Sequence, residues 1–310
     1  MDDHRGLFVS GAVVQGTDHL AAGTGCQDAL KSARCEGGDG VVLAVADGAG
    51  SRDRSALGAH LAVDIACRVL ARDLPGGDLG GSAWTEWISG RAKEVVDTWL
   101  RATRALPPAA EYGEEPVGAG VPLDGGAGYP GPGPGPGPGP GAGAGPGEFA
   151  ATLAAAVVKP PWAAFLCVGD CFGTVLTLDG DSMRERCHLV LPPPDARQPP
   201  LFLSSPGARM RVRSFALWDP DLSGVVLATD GCVPLTLDHP DVHGLPPAAG
   251  PLPSSRFFVG LAAALRDNGG DAEPLRALLC SPEAGRSGDD LTLLCALTAR
   301  GERRARTGRG

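Results

Sequence analysis

Residues 41–50 read VVLAVADGAG, six apolar positions closed by Asp47 and a glycine. A short apolar run ended by a turn signal fits a buried strand better than a helix. An aspartate at the mouth of such a strand is held by the core behind it and open to ligands in front. The phrase recurs in AFLCVGD, ending at Asp170, and in GVVLATDG, with Asp230 and Gly231. It recurs in reverse where Asp289 and Asp290 precede LTLLCAL. One Asp-Gly alone reads as a hairpin turn. Four such strand ends, drawn from distant parts of the chain, predict a single acidic, metal-binding edge.

Composition narrows the classes of function. The 310 residues are 43% apolar and carry a net charge of −9. That supports a sizeable core and argues against a nucleic-acid partner, which would favour a basic face. The start, MDDHRG, lacks the basic and apolar regions of a signal peptide, and no apolar run is long enough to span a membrane. Nine cysteines, several inside apolar runs (Cys67, Cys167, Cys295), read as reduced core thiols and a cytoplasmic protein. Cys167 and Cys171 have no second Cys/His pair at zinc spacing.

In chain order, 7–14 predicts a first strand, and the polar stretch GTDHLAAGTGCQDA a loop carrying His19, Gln27 and Asp28. The strand at 41–46 comes next. Leu57, Leu61, Ile65 and Val69 recur every fourth residue and predict a helix over 55–73. A second helix is expected over about 83–106, with Trp84, Ile88, Val95 and Trp99 on its apolar stripe. From 107 to 147 the chain is nearly all Gly, Pro, Ala and acid, a composition that cannot pack a core, so a disordered insertion is expected. Its Gly126, Gly128 and Gly131 satisfy G-x-G-x-x-G, but neither a strand before nor a helix after supports a dinucleotide site. Strands at 152–158, 163–169 and 172–178 read as consecutive hairpins, followed by a proline-rich passage and strands near 211–217 and 225–229. Helices over 254–267 and 271–279 and a strand over 291–298 complete the pattern, and 301–310 is a basic, frayed tail. Hairpins with helices at both ends predict an α+β sandwich of antiparallel sheet, rather than a doubly wound fold, in one domain spanning 1–300.

The acidic edge suits magnesium or manganese, which take hard oxygen ligands. Two such ions can bridge a water, lower its pKa and clamp a phosphoryl group. Other chemistries find no support: there is no GxxxxGK[ST] loop and no GxSxG elbow. His239 and His243 lack the HExxH glutamate, and Ser204 and Ser205 have no evident base.

Five motifs in this order resemble the metal-dependent protein phosphatase family (PPM, type 2C), compact bacterial type. They are CQDA at 26–29, VADGAGS at 45–51, GD at 169–170, LATDG at 227–231 and GDDLT at 288–292. The resemblance implies a four-layer αββα sandwich of two antiparallel sheets flanked by helices. It implies a serine/threonine phosphatase hydrolysing phosphoserine and phosphothreonine by a metal-bridged hydroxide, with two Mn²⁺ or Mg²⁺ ions and room for a third. Asp47 would bridge two ions, the Gly48 carbonyl would bind one, and Asp230 and Asp289 would complete the other. Asp170 would join Asp230 at a third ion, and Asp28 would orient the water. Asp290 matches a position that is often asparagine. Three departures stand out: Gln27 where many members carry glutamate, Ala49 where some carry histidine, and Gly23 near the place of a phosphate-binding arginine. His19 is the nearest replacement for that arginine, and Arg52 and Arg54 read either as solvated loop residues or as positive charge at the mouth. The partner implied is a phosphorylated protein, the product of a Ser/Thr kinase, met by a monomer with neither nucleic acid nor membrane involved. The alternative, motivated by Gln27 and the missing arginine, is a pseudophosphatase that binds a phosphoprotein without turnover.

Overall fold

A computed structural model describes residues 6–50, 52, 54–107, 145–179, 184–194 and 200–299. Most of the Pro/Gly insertion, at 108–144, and the tail, at 301–310, lie outside the described residues. The first sheet takes β2 (Ala29–Arg34), β3 (Val41–Ala46), β4 (Leu153–Lys159), β5 (Trp162–Val168) and β8 (Arg213–Trp218), in that spatial order. The second runs β1 (Leu7–Val14), β12 (Leu291–Thr298), β9 (Leu222–Ala228), β6 (Phe172–Leu178), β7 (Glu185–Leu191). Every pairing in both is antiparallel.

The central strands show why VVLAVA has no polar alternation. Val41, Leu43 and Val45 point into the core between the sheets, whereas Val42, Ala44 and Ala46 point into a second core beneath the helices. On the other sheet, Leu294 and Ala296 of β12 face the inter-sheet core and Leu293, Cys295 and Leu297 face a third. A strand covered on both faces must be apolar at every position. Helices α2 (Ser55–Leu70) and α3 (Gly81–Ala105) cover the first sheet, while α6 (Ser255–Asp267) and α7 (Glu273–Leu279) pack against the second. The result is the α+β arrangement of four layers that the sequence leads one to expect.

Helix α3 buries Trp84, Ile88, Val95 and Trp99 as anticipated, and Trp84 stacks on Trp162 with ring centroids 5.3 Å apart. Helix α2 turns differently. Leu57 is 40% exposed, and the buried face carries Ala59, Ala62 and Ala66 beside Ile65 and Val69. Small side chains let the helix approach the sheet closely, so the alanines outrank the outermost leucine.

Three local expectations need correction. The stretch 16–29 is partly helical, with α1 at Thr17–Ala22, and β2 intervenes before β3. The strands β5 and β6 do not form a hairpin: the chain leaves one sheet at Val168 and enters the other at Phe172. A strand, β7, precedes the proline-rich passage. Short elements, α4 (Ala208–Arg211), α5 (Val233–Thr236) and the ribbon of β10 (Leu237–Asp238) with β11 (Leu252–Pro253), fill the connections.

Candidate metal centre

Strand register brings the acids together. Ala29 lies opposite Ala46, so the next rung sets Asp28 beside Asp47. Val45 lies opposite Ala154, which carries Asp47 to Thr152 two rungs on. Leu153 lies opposite Val168, which brings Thr152 to Gly169 and the turn bearing Asp170. In the second sheet, Phe172 and Leu293 both lie opposite Ala228, which draws Asp170, Asp230 and the 289–290 turn to the same end. Because the crossover from β5 to β6 holds Asp170, the site straddles both sheets.

Carboxylate oxygens of Asp47, Asp170 and Asp230 all lie within 4.8 Å of one another. Asp289 stands outside that trio, its Oδ1 accepting from the Asp290 amide at 2.8 Å, and acts on the three through its charge. Asp28 is 4% exposed and accepts from the Thr229 hydroxyl at 2.7 Å. Burial, reinforced by neighbouring carboxylates, pushes the Asp47 and Asp170 carboxyls up and lifts Asp230 to about 6. Burial likewise raises Asp28 to about 7, although the hydrogen bond from Thr229 opposes it. Oδ1 of Asp170 is buried with no hydrogen-bond partner among the described residues. Crowded, partly desolvated oxygen donors that repel one another fit a divalent cation, and their hardness favours Mg²⁺ or Mn²⁺.

Glycine beside each aspartate serves close approach of backbone to backbone. A Cβ at Gly48 would stand 2.7 Å from the Ser55 carbonyl carbon and 3.0 Å from the Gln27 carbonyl oxygen. A Cβ at Gly231 would collide with the Asp290 carbonyl oxygen. Gly169 adds a positive φ of 100°, and its Cβ would meet the Thr152 side chain at 2.6 Å. The Gly48 amide donates to the Gln27 carbonyl at 3.1 Å, which locks the CQDA segment to the end of β3.

The cations are distributed otherwise than the sequence suggests. Gly23, near the place of the absent arginine, is the left-handed cap that ends α1, with φ 68°. His19 Nδ1 stands 3.0 Å from Asp290 Oδ1, and that carboxylate raises the imidazole pKa. Arg54 lies over the Phe149 ring, 4.3 Å from its centroid, and donates to the Pro107 carbonyl at 2.7 Å. It thus pins the borders of the insertion. Sequence reading missed Arg213 of β8, which donates to the Pro192 carbonyl at 2.8 Å and approaches Cys167 Sγ at 3.2 Å behind the Asp170 turn. It also missed Thr152 and Thr229, whose hydroxyls hydrogen-bond Asp47 and Asp28. Each directly adjoins an apolar strand, and that position is the signal that marks them.

A family model described as Protein phosphatase 2C matches residues 15–280, a span that stops short of Asp289 and Asp290. A comparison with curated proteins finds no match. Among solved structures, the chain is similar to a bacterial serine phosphatase at TM-score 0.56 and 10% identity, covering 94% of this chain and 98% of that one. It is similar to the serine/threonine phosphatase Stp1 from Staphylococcus aureus at TM-score 0.53 and 11% identity, over 96% and 97% of the two chains. It is also similar to the serine/threonine phosphatase PstP/Ppp of Mycobacterium tuberculosis, at TM-score 0.51 and 13% identity over 94% and 99%. At such identities the likeness speaks to the fold.

Proposed function

The chain belongs to the protein phosphatase 2C family, and from that premise we propose that it removes phosphate from phosphoserine and phosphothreonine in proteins with the help of bound Mn²⁺ or Mg²⁺. The observation that carries this reading is the meeting of Asp47, Asp170 and Asp230 within 4.8 Å at one edge of the sandwich. Asp47, the Gly48 carbonyl, Asp230 and Asp289 would hold two ions, and Asp170 with Asp230 a third. Bound there, divalent cations supply Lewis acidity toward the phosphoryl oxygens and lower the pKa of water.

The chain's own groups do the rest. Asp28, fixed by the Thr229 hydroxyl, is placed to accept a hydrogen bond from attacking water and keep it in line. His19, on the rim, offers positive charge to the phosphoryl group. Asp47 is rigid because its amide and carbonyl are both tied to Thr152. Retention of every acid named above speaks for turnover over phosphoprotein binding alone. All nine cysteines are free thiols, seven of them buried, which supports a reducing compartment such as the cytosol. Among the described residues no helix is long and apolar enough to cross a membrane.

The test is hydrolysis of a small aryl phosphate and of phosphopeptides with manganese added. Activity is expected to vanish on chelation and in Asp47→Ala and Asp230→Ala. Activity that persists in either variant would overturn the assignment.

A further inference from the structure

Helix α1 buries no residue, so apolar packing does not fix it. The turn that bears Asp289 and Asp290 does. The Asp18 amide donates to the Gly288 carbonyl at 2.9 Å, and the Thr17 hydroxyl to the Gly285 carbonyl at 3.2 Å. The Gly16 amide donates to Asp290 Oδ1 at 2.7 Å, and a Cβ at Gly16 would collide with the Asp289 backbone. Asp290 Oδ2 accepts from the Gln27 amide at 2.6 Å. One carboxylate, its side chain 1% exposed, therefore closes both ends of the segment 16–27 and meets His19 Nδ1 at 3.0 Å between them. Both its oxygens are taken up by chain contacts, whereas the His19 side chain keeps 22% of its surface exposed.

We propose that Asp290 is a positioning residue that holds His19 on the rim of the acidic edge as the group receiving the substrate's phosphoryl oxygens. This rests on the phosphatase reading above. A carboxylate 3.0 Å from Nδ1 stabilises the doubly protonated ring, the form in which Nε2 too carries a proton to donate. A phosphate dianion needs donors on the side facing away from the cations, and a guanidinium is the usual solution because its charge is permanent. Histidine supplies an equivalent donor once a buried anion stands behind it. Asp290 does for this ring what the permanence of charge does for arginine.

The experiment uses manganese-loaded full-length protein and two readouts, inorganic phosphate binding by calorimetry and KM for an aryl phosphate. His19→Gln is expected to weaken phosphate binding and raise KM about ten-fold, the size of a charge-assisted hydrogen bond, and to leave manganese affinity unchanged. Asp290→Asn is expected to do the same, and the double variant to be no worse than the weaker single one. A manganese affinity that falls with phosphate affinity in Asp290→Asn, or effects that multiply in the double variant, would overturn the proposal. Should Asp290→Asn fail to fold, the histidine NMR signal of wild-type protein loaded with diamagnetic Mg²⁺ in place of manganese, assigned by its loss in His19→Gln, must shift on adding phosphate. An unmoved signal overturns the proposal equally. Wild-type protein that binds manganese and phosphate without turning over any phosphoester sinks the phosphatase reading alone. Phosphate binding that ignores His19 sinks this one alone.

Discussion

Thr152 holds Asp47 by both of its backbone polar groups: the Asp47 amide donates to the Thr152 hydroxyl at 3.1 Å, and the Thr152 amide to the Asp47 carbonyl at 2.8 Å. The same hydroxyl lies 3.1 Å from Cys171 Sγ, so one small side chain joins the end of β3 to the start of β6. Thr152→Val keeps the shape and removes the acceptor, leaving the Asp47 amide without it. A cost of about 1–3 kcal/mol is expected. Manganese affinity should fall along with stability. Urea denaturation and manganese titration check this, and a variant as stable and as tight-binding as the parent would refute it.

Gly231 admits no side chain, because the Asp290 carbonyl occupies the place of its Cβ. Gly231→Ala must push the 230 turn away from the 289–290 turn. Overpacking of this kind costs about 1–3 kcal/mol. Catalytic loss should exceed what the stability loss explains, since the shift separates Asp230 from Asp289. Specific activity measured well below the melting temperature checks it.

Metal-free protein should lose stability as pH rises. The folded state raises Asp230 to about 6, mainly by burial and then by the charges of Asp170 and Asp289. A raised carboxyl contributes fully below its ordinary value near 4 and loses that contribution as pH climbs through about 6. Burial pushes Asp290 up too, but the Gly16 and Gln27 amides and His19 outweigh it and hold it below the ordinary range. Its contribution is lost only as pH falls below about 4, so the two windows do not overlap. Melting temperature in chelator should therefore decline between pH 4 and 7. Manganese should restore more at pH 7.5 than at pH 5, the whole stabilisation being about 3 kcal/mol at whichever pH it stands at a hundred-fold excess over its dissociation constant. A flat chelator profile would contradict the acidic-edge assignment.

The span 108–144 should be replaceable by a short glycine-serine bridge with little change in melting temperature or activity. Its borders are held independently: Arg54 binds the Pro107 carbonyl, and Phe149 is buried against Gly58 of α2. Long surface insertions add little closure entropy beyond their first residues. A large fall in melting temperature would show that the span contributes to packing.

Asp47, Asp170, Asp230 and Asp289 were legible because each sits beside an apolar run of the kind that strands covered on two faces require, whereas Asp28 precedes a mixed strand and was reached only through the CQDA resemblance. The edge strands β2 (ALKSAR) and β7 (ERCHLVL) escaped for the opposite reason. Each leaves part of its length exposed, and their mixed sequences carry neither signal. The crossover after β5 was illegible because a short gap serves a hairpin and a sheet change equally well, and only the partner strands decide between them. Asp290 looked like a second-rank ligand. Its occupation as an anchor for the Gly16 and Gln27 amides depends on a segment far away in sequence, which spacing cannot reveal.

The chain's change of sheet between Val168 and Phe172 has a mechanical side as well. Asp47 is rooted in one layer of the sandwich, Asp230 in the other, and Asp170 in the short crossing between them. A cation held by these three would add a second tie between the layers beside the backbone crossing itself, closing one loop of 123 residues (47 to 170) and one of 60 (170 to 230). Its removal should let the two sheets part at this end first. Amides around 47, 152 and 229 would then exchange with solvent sooner than those at the far end of the same strands.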